Sequence, residues 1–298
     1  MSHPSTSATD IDSADPAVDA TSATPEVVAL VTSLFRDKSS RDPDRFLSNF
    51  AQHDLTVGDG TRGAKFATWQ ELAAAVAPVM PAWPPASRAY ATKILGDARS
   101  AMVFYTDSPE MFGNEIRLIA PFDFRDGKII RQVDYWDGRH FGSETTAAIR
   151  MPQDQFATEF GEAATGEQSP AALRAVVSAL SEAFAAGDAA AAAALFSPDA
   201  TFEDLTLHAA IVGRQSIKGF LDRSFPLLPY GLGTSVRHTV GSVHGGGYEW
   251  VRPDGPVRNG VIAIELQQSR ITRFTTIWDG SLVDDATLTD ILATTIEH

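Results

Sequence analysis

The chain has 298 residues, 44% hydrophobic and 21% charged, enough for one large folded domain or two small ones. A formal net charge of −14 argues against binding nucleic acid or an anionic membrane, because phosphate contacts need a basic surface. The lack of cysteine excludes disulfides and thiolate chemistry.

Residues 1–24 are small, polar and acidic and read as a disordered tail. They lack the positive and apolar regions of a signal peptide, and no apolar run approaches the roughly 18 residues of a membrane span. A cytoplasmic protein is expected. Thr24-Pro25 then starts a helix, EVVALVTSLF, with a hydroxyl N-cap and Pro at the first helical position. DPDRFLSNFAQHDLTVGD reads as a second helix, a turn and a short strand ending at Asp59. A third helix begins at Thr68. Four strands follow, RAYATKIL, SAMVFYT, EIRLIAPFDF and KIIRQVDYW, with Asp126-Gly127 as a hairpin turn.

Residues 143–168 form a linker, with a short helix expected around DQFATEF. The same order then repeats, which makes the chain a tandem duplication. Ser169-Pro170 precedes AALRAVVSALSEAF, GDAAAAAALFSPDATFED ends at Asp204, and SIKGFLDRSF supplies the third helix. The strands are SVRHTVGSVH, YEWVRP, NGVIAIELQ and RITRFTTIW, with turns at Gly245-Gly246-Gly247 and Asp254-Gly255. Both copies close on Trp-Asp-Gly, at Trp136 and Trp278. Helices followed by a meander of strands make an α+β fold. Alternation puts Ile130, Gln132, Asp134 and Trp136 on one face and Ile129, Arg131, Val133 and Tyr135 on the other. The second face, with its counterpart Ile271, Arg273, Thr275 and Ile277, is too apolar for open water. Packing of these two faces would make the chain its own pseudo-dimer; dimerisation between chains through them is the competing arrangement.

The order helix, Gly-Asp, helix, LFSPDATFED, GRQSIKGFL and a closing RITRFTTIWDG resembles the SnoaL-like and ketosteroid-isomerase-like superfamily, the cone of nuclear-transport-factor-like proteins. The resemblance implies two tandem cone-shaped domains, 25–142 and 169–298. In each, a curved, mostly antiparallel sheet wraps around N-terminal helices and leaves an apolar pocket. It places Asp59 and Asp204 where the steroid isomerases hold their general base. The oxyanion donors of those isomerases would fall at Leu34 and Ala120, and at Leu180 and Ile262, so steroid isomerisation is rejected. The SnoaL-type cyclases imply an inward Asp on the last strand, which is Asp134 here and Thr276 in the second copy. Tandem epoxide hydrolases of this superfamily pair the first Asp with a Glu near the start of the next strand. That region holds Arg88, Tyr90, Arg237 and His238 instead, leaving Tyr90 or His238 as proton donors.

Asp59, Asp134 and Asp204 are therefore the catalytic candidates, against a plain role as turn or salt-bridge residues. Trp136, Tyr90, Trp278 and His238 are the candidates for substrate contact, although the repetition of the two Trp residues suits core packing. His208 and His238 are isolated, so no metal site is expected, and no cofactor. The expected activity is natural-product tailoring, a cyclisation, isomerisation or epoxide opening, on a small apolar polyketide- or terpenoid-like substrate. A non-catalytic ligand- or partner-binding module is the rival.

Overall fold

The computed structural model describes residues 16–296. The expected tail lies largely outside them, but its end is ordered. Asp19–Ala23 form strand β1, parallel to β4 (Ala89–Gly96), with Asp19 2.9 Å from Lys93. A strand edge with a free ladder and a lysine on it offers the acidic segment both hydrogen bonds and a charge partner.

Helix α1 (Pro25–Ser39) buries Val27, Val31, Leu34 and Phe35, one stripe at helical spacing. Helix α2 (Pro43–Leu47) is capped by Asp42, which accepts from the backbone of Asp44 and Arg45. Strands β2 (Thr56–Asp59) and β3 (Ala64–Phe66) precede helix α3 (Trp69–Val76), capped by Thr68. The meander is β4, β5 (Ser100–Asp107), a one-turn helix α4 (Pro109–Phe112), β6 (Ile116–Arg125) and β7 (Lys128–Trp136). The seven-stranded sheet runs β1-β4-β5-β6-β7-β2-β3, with β2 parallel to β7.

Between the halves, helices α5 (Ser143–Ile149) and α6 (Glu162–Thr165) flank DQFATEF rather than form on it. That stretch is a strap across the first half: Ala157 N–H donates to Gly63 O, and the Phe156 ring fills the space beside Gly63.

The second half repeats the plan. Helix α7 (Ala171–Ala186), capped by Pro170 rather than Ser169, ends at Gly187 with a left-handed φ of 68°. Helix α8 (Ala189–Ala194), capped by Asp188, leads to β8 (Phe196–Asp204), β9 (Ala209–Val212) and helix α9 (Arg214–Ser224). Strands β10 (Ser235–Ser242), β11 (Gly245–Val251), β12 (Asn259–Gln267) and β13 (Arg270–Trp278) follow. Helix α10 (Asp285–Ala293), which has no counterpart among the expected elements, buries Leu288 and Ile291. The order is β10-β11-β12-β13-β8-β9, with β8 parallel to β13. The three glycines are not the turn: they lie in β11, where Gly246 and Gly247 let neighbouring backbone approach too closely for a side chain.

The two sheets pack on each other through Leu95, Met102, Ile119, Val133 and Tyr135 on one side and Val240, Val261, Ala263 and Ile277 on the other. The chain is an intrachain pseudo-dimer of two curved α+β units. Ile129 and Ile271 belong instead to the inner cores. A bulge in each hairpin, between the partners of Asp123 and Phe124 and of Glu265 and Leu266, inserts one residue and flips the parity of everything before it. Among the described residues no helix is long and apolar enough to cross a membrane.

The interface is polar at its centre. Arg131, fully enclosed, donates to Glu249 at 2.5 Å and to Phe160 O at 2.8 Å and lies 3.7 Å from Asp123. Tyr135 donates to Glu249 at 2.6 Å, and Arg237 donates to the Tyr135 hydroxyl at 3.1 Å. His238 Nε2 meets Asp123 at 2.8 Å, and Lys93 pairs with Glu265 at the matching place across the pseudo-twofold axis.

Candidate functional site

Parallel pairing of β2 with β7 makes Asp59 and Asp134 Cα partners, so two carboxylates from distant segments stand side by side inside the first half. Asp59 Oδ1 accepts from Arg62 N–H at 2.9 Å and from the Trp136 indole N–H at 3.1 Å. Asp59 Oδ2 lies 4.0 Å from the Arg62 guanidinium, and the side chain keeps 20% of its surface open. Asp134 accepts from Gln132 Nε2 at 2.8 Å. Both line a cavity of about 200 Å³ with Tyr105, Leu118 and Trp136. A second lobe of about 250 Å³ shares Lys38, Asp59, Arg62, Phe112 and Asp134 and runs among Phe35, Phe46, Leu72 and Met80. The lobes form one apolar pocket with a charged waist.

Desolvation sets the chemistry. Burial pushes the Asp59 carboxyl up to about 7; Arg62 and the indole bond oppose it, and the neighbouring Asp134 charge adds to it. Burial also raises Asp134, against the Gln132 hydrogen bond and the Lys38 charge. Tyr105, beside Asp134, is held protonated by burial and by that carboxylate. Lys38 binds Asp107 at 2.7 and 2.8 Å and sits 5.3 Å from the Tyr105 ring centre. The pocket thus carries two carboxyl groups of raised proton affinity, of which Asp59 exchanges its proton near neutral pH.

The second half has the same frame and no such room. Asp204 is 1% exposed and accepts from Leu207 N–H, the Tyr230 hydroxyl and the Trp278 indole N–H at 3.0, 2.9 and 3.1 Å. Burial lifts it to about 6. Its Cα partner is Thr276, which donates to Val261 O. Where the first half pairs Val57 with Gln132, the second pairs Phe202 with Phe274, stacked at 4.2 Å between centroids. Where it pairs Tyr105 with Leu118, the second pairs Trp250 with Gly260, and the indole occupies the space a Gly260 side chain would need. Aromatic rings fill this interior.

The frame is shared with known proteins. Residues 177–274 match the model of the SnoaL-like domain. The second half carries a SnoaL-like domain. The first half presents the same element order around its open pocket. An NTF-2-like protein of unknown function from Burkholderia xenovorans is 22% identical, covering 36% of this chain and 83% of its own, with a TM-score of 0.31. A steroid delta-isomerase from Pseudomonas aeruginosa is 15% identical, covering 44% and 93%, with a TM-score of 0.34. A de novo designed protein with a curved β-sheet is 16% identical, covering 42% and 93%, with a TM-score of 0.33. No protein of curated function matches.

Of the residues expected at a site, Asp59, Asp134 and Trp136 come together, while Asp204 and Trp278 are sealed in the SnoaL-like core. Tyr90 is half-buried on β4 and does not line the pocket. His238, 3% exposed, is an interface residue bound to Asp123, because β10 turns that face toward the first half. Lys38, Arg62 and Tyr105 were not foreseen as pocket residues. Gln132 was legible as a same-face neighbour of Asp134, whereas Lys38 reaches the pocket only through the packing of α1.

Proposed function

We propose that the first half is a cofactor-independent acid–base enzyme that opens the epoxide of a small, mostly apolar, polyketide- or terpenoid-like substrate. The observation that carries this reading is the pair of carboxyl groups, Asp59 and Asp134, facing one cavity with raised proton affinity. Epoxide opening needs both a proton delivered and a proton removed. Asp59, half protonated near pH 7, gives its proton to the epoxide oxygen as the C–O bond breaks. Asp134 takes the proton of the water or substrate hydroxyl whose oxygen attacks the ring carbon. Passage of that proton from Asp134 to Asp59, directly or through solvent, restores the site. With water the product is a diol; with an internal hydroxyl it is a cyclic ether alcohol. Isomerisation through an enolate has weaker support, since Leu34 and Ala120 offer no hydrogen bond to an oxyanion.

The test is turnover of a panel of small apolar epoxides by the whole chain and by Asp59→Asn and Asp134→Asn, followed by chromatography of diols and ether alcohols. Losses of roughly 10²–10⁴ in kcat for each variant are expected. Unchanged rates in both would remove the mechanism, and saturable binding without turnover would favour the ligand-binding module.

A further inference from the structure

A further cavity lies outside the carboxylate pocket, where the strap between the halves crosses to the second half. It measures about 340 Å³ and adjoins a second of about 220 Å³, the two sharing Phe156, Arg258 and Asn259. The first half contributes Gly60 and Thr61, the strap Arg150 and Phe156, and the second half Arg258 and Asn259.

The charges here do not cancel. Glu162 is 3.8 Å from Arg237 and its carboxylate accepts from Phe160 N–H at 2.6 Å. Asp279 is taken by Arg150, Gly138 N–H and Ser281. The half-buried Arg258 guanidinium has no carboxylate and no hydrogen-bond acceptor among the described residues. Beside it, Asn259 is only 6% exposed, and its side-chain amide makes no hydrogen bond among the described residues, though both cavities touch it. That amide opens on the cavities and is free to bond a ligand that enters them. The wall also carries the neutral polar Thr61, Gln153 and Thr158 and an apolar part, Phe156, Val251, Pro253, Val257 and Leu282.

From this geometry we infer a second ligand site, for a small monocarboxylate with an apolar tail. The Arg258 fork and the Asn259 amide take the carboxylate, and the tail lies against Phe156 and Val257. A planar carboxylate matches a guanidinium in two parallel hydrogen bonds, and a single uncompensated cation suits a monoanion. The inference is independent of the acid–base reading, because none of these residues lines the Asp59 pocket.

The experiment is calorimetric titration of the whole chain with hexanoate, with 1-hexanol and inorganic phosphate as controls. Hexanoate is expected to bind saturably at one site, and the two controls at least about tenfold more weakly. Arg258→Gln should weaken hexanoate by at least about tenfold, Arg258→Lys by less, and Asp59→Asn not at all. Each variant's circular dichroism spectrum is checked against the parent. Equal hexanoate binding by the parent and the well-folded Arg258→Gln protein overturns the inference. So does no saturable binding at millimolar hexanoate, or phosphate or 1-hexanol binding as tightly as hexanoate.

Discussion

Asp137 and Asp279 hold each other's strand ends: Asp279 accepts from Gly138 N–H at 3.1 Å, and Asp137 from Gly280 N–H at 3.2 Å. The tripeptide that occurs twice in the sequence is thus one reciprocal contact across a pseudo-twofold axis. Trp136 and Trp278 act alike in both copies, each donating its indole N–H to the Asp at the end of the β2 or β8 strand. What differs is the position two residues before each Trp, Asp134 or Thr276, and there the chemistry divides.

Activity on an epoxide is expected to follow a bell-shaped pH profile. The alkaline limb falls above about pH 7 as Asp59 loses its proton, and the acid limb falls as Asp134 gains one. In Asp59→Asn the alkaline limb should vanish along with most of the rate. A profile of kcat/KM from pH 4 to 9 for parent and variant checks this.

Asp59 also makes stability depend on pH. Its folded value of about 7 exceeds the unfolded 3.8, so between these the folded chain holds the extra proton. Stability therefore falls as pH rises through that window, by an amount on the order of 2–4 kcal/mol. Asp59→Asn should be more stable than the parent at pH 8 and nearly equal to it at pH 3.5, as read from urea unfolding at both values.

Filling the second half has a price in sensitivity. Phe274 stacks on Phe202 and touches Phe184, Phe196 and Tyr230 in that core. Phe274→Ala should cost about 3–5 kcal/mol. Gln132→Ala, at the matching place in the open half, should cost less than about 1.5 kcal/mol. Urea midpoints with constant slope would measure both, and equal losses would contradict the contrast in packing.

Glu249 tests the interface. Burial raises its carboxyl, but Arg131 and Arg237 outweigh burial and hold it below 4.5. Its contribution is then fully present above 4.5 and lost as pH falls through the lowered folded value. Glu249→Gln should destabilise the chain by about 3–5 kcal/mol at pH 7, because Arg131 stays buried with its main partner gone. Arg131→Met with Glu249→Leu should recover most of that loss, which a double-mutant cycle would show.

Much of this fold could be read from residue order. The duplication, the helix start at Pro25, its counterpart within one residue of Pro170, and the strands ending at Trp136 and Trp278 lie in local pattern and composition. The faces did not follow fully, because bulges at Ile130 and Thr272 reverse the alternation and leave no mark in residue type. The carboxylate pair was half legible. Each Asp stood out alone, but their adjacency needs β2 beside β7, a parallel pairing between distant segments. Asp204 stood at the same motif position as Asp59. Only the stacked Phe202 and Phe274 reveal that its surroundings are solid, and aromatic residues in a strand look the same whether they line a hollow or fill it.

The strap through Phe156 and Phe160 keeps both halves on one tether. Their mutual contact operates at the high effective concentration of an intramolecular encounter, so dilution cannot part them. Partnership guaranteed in this way releases each half from having to match itself, so one copy can pack solid while its sibling stays hollow.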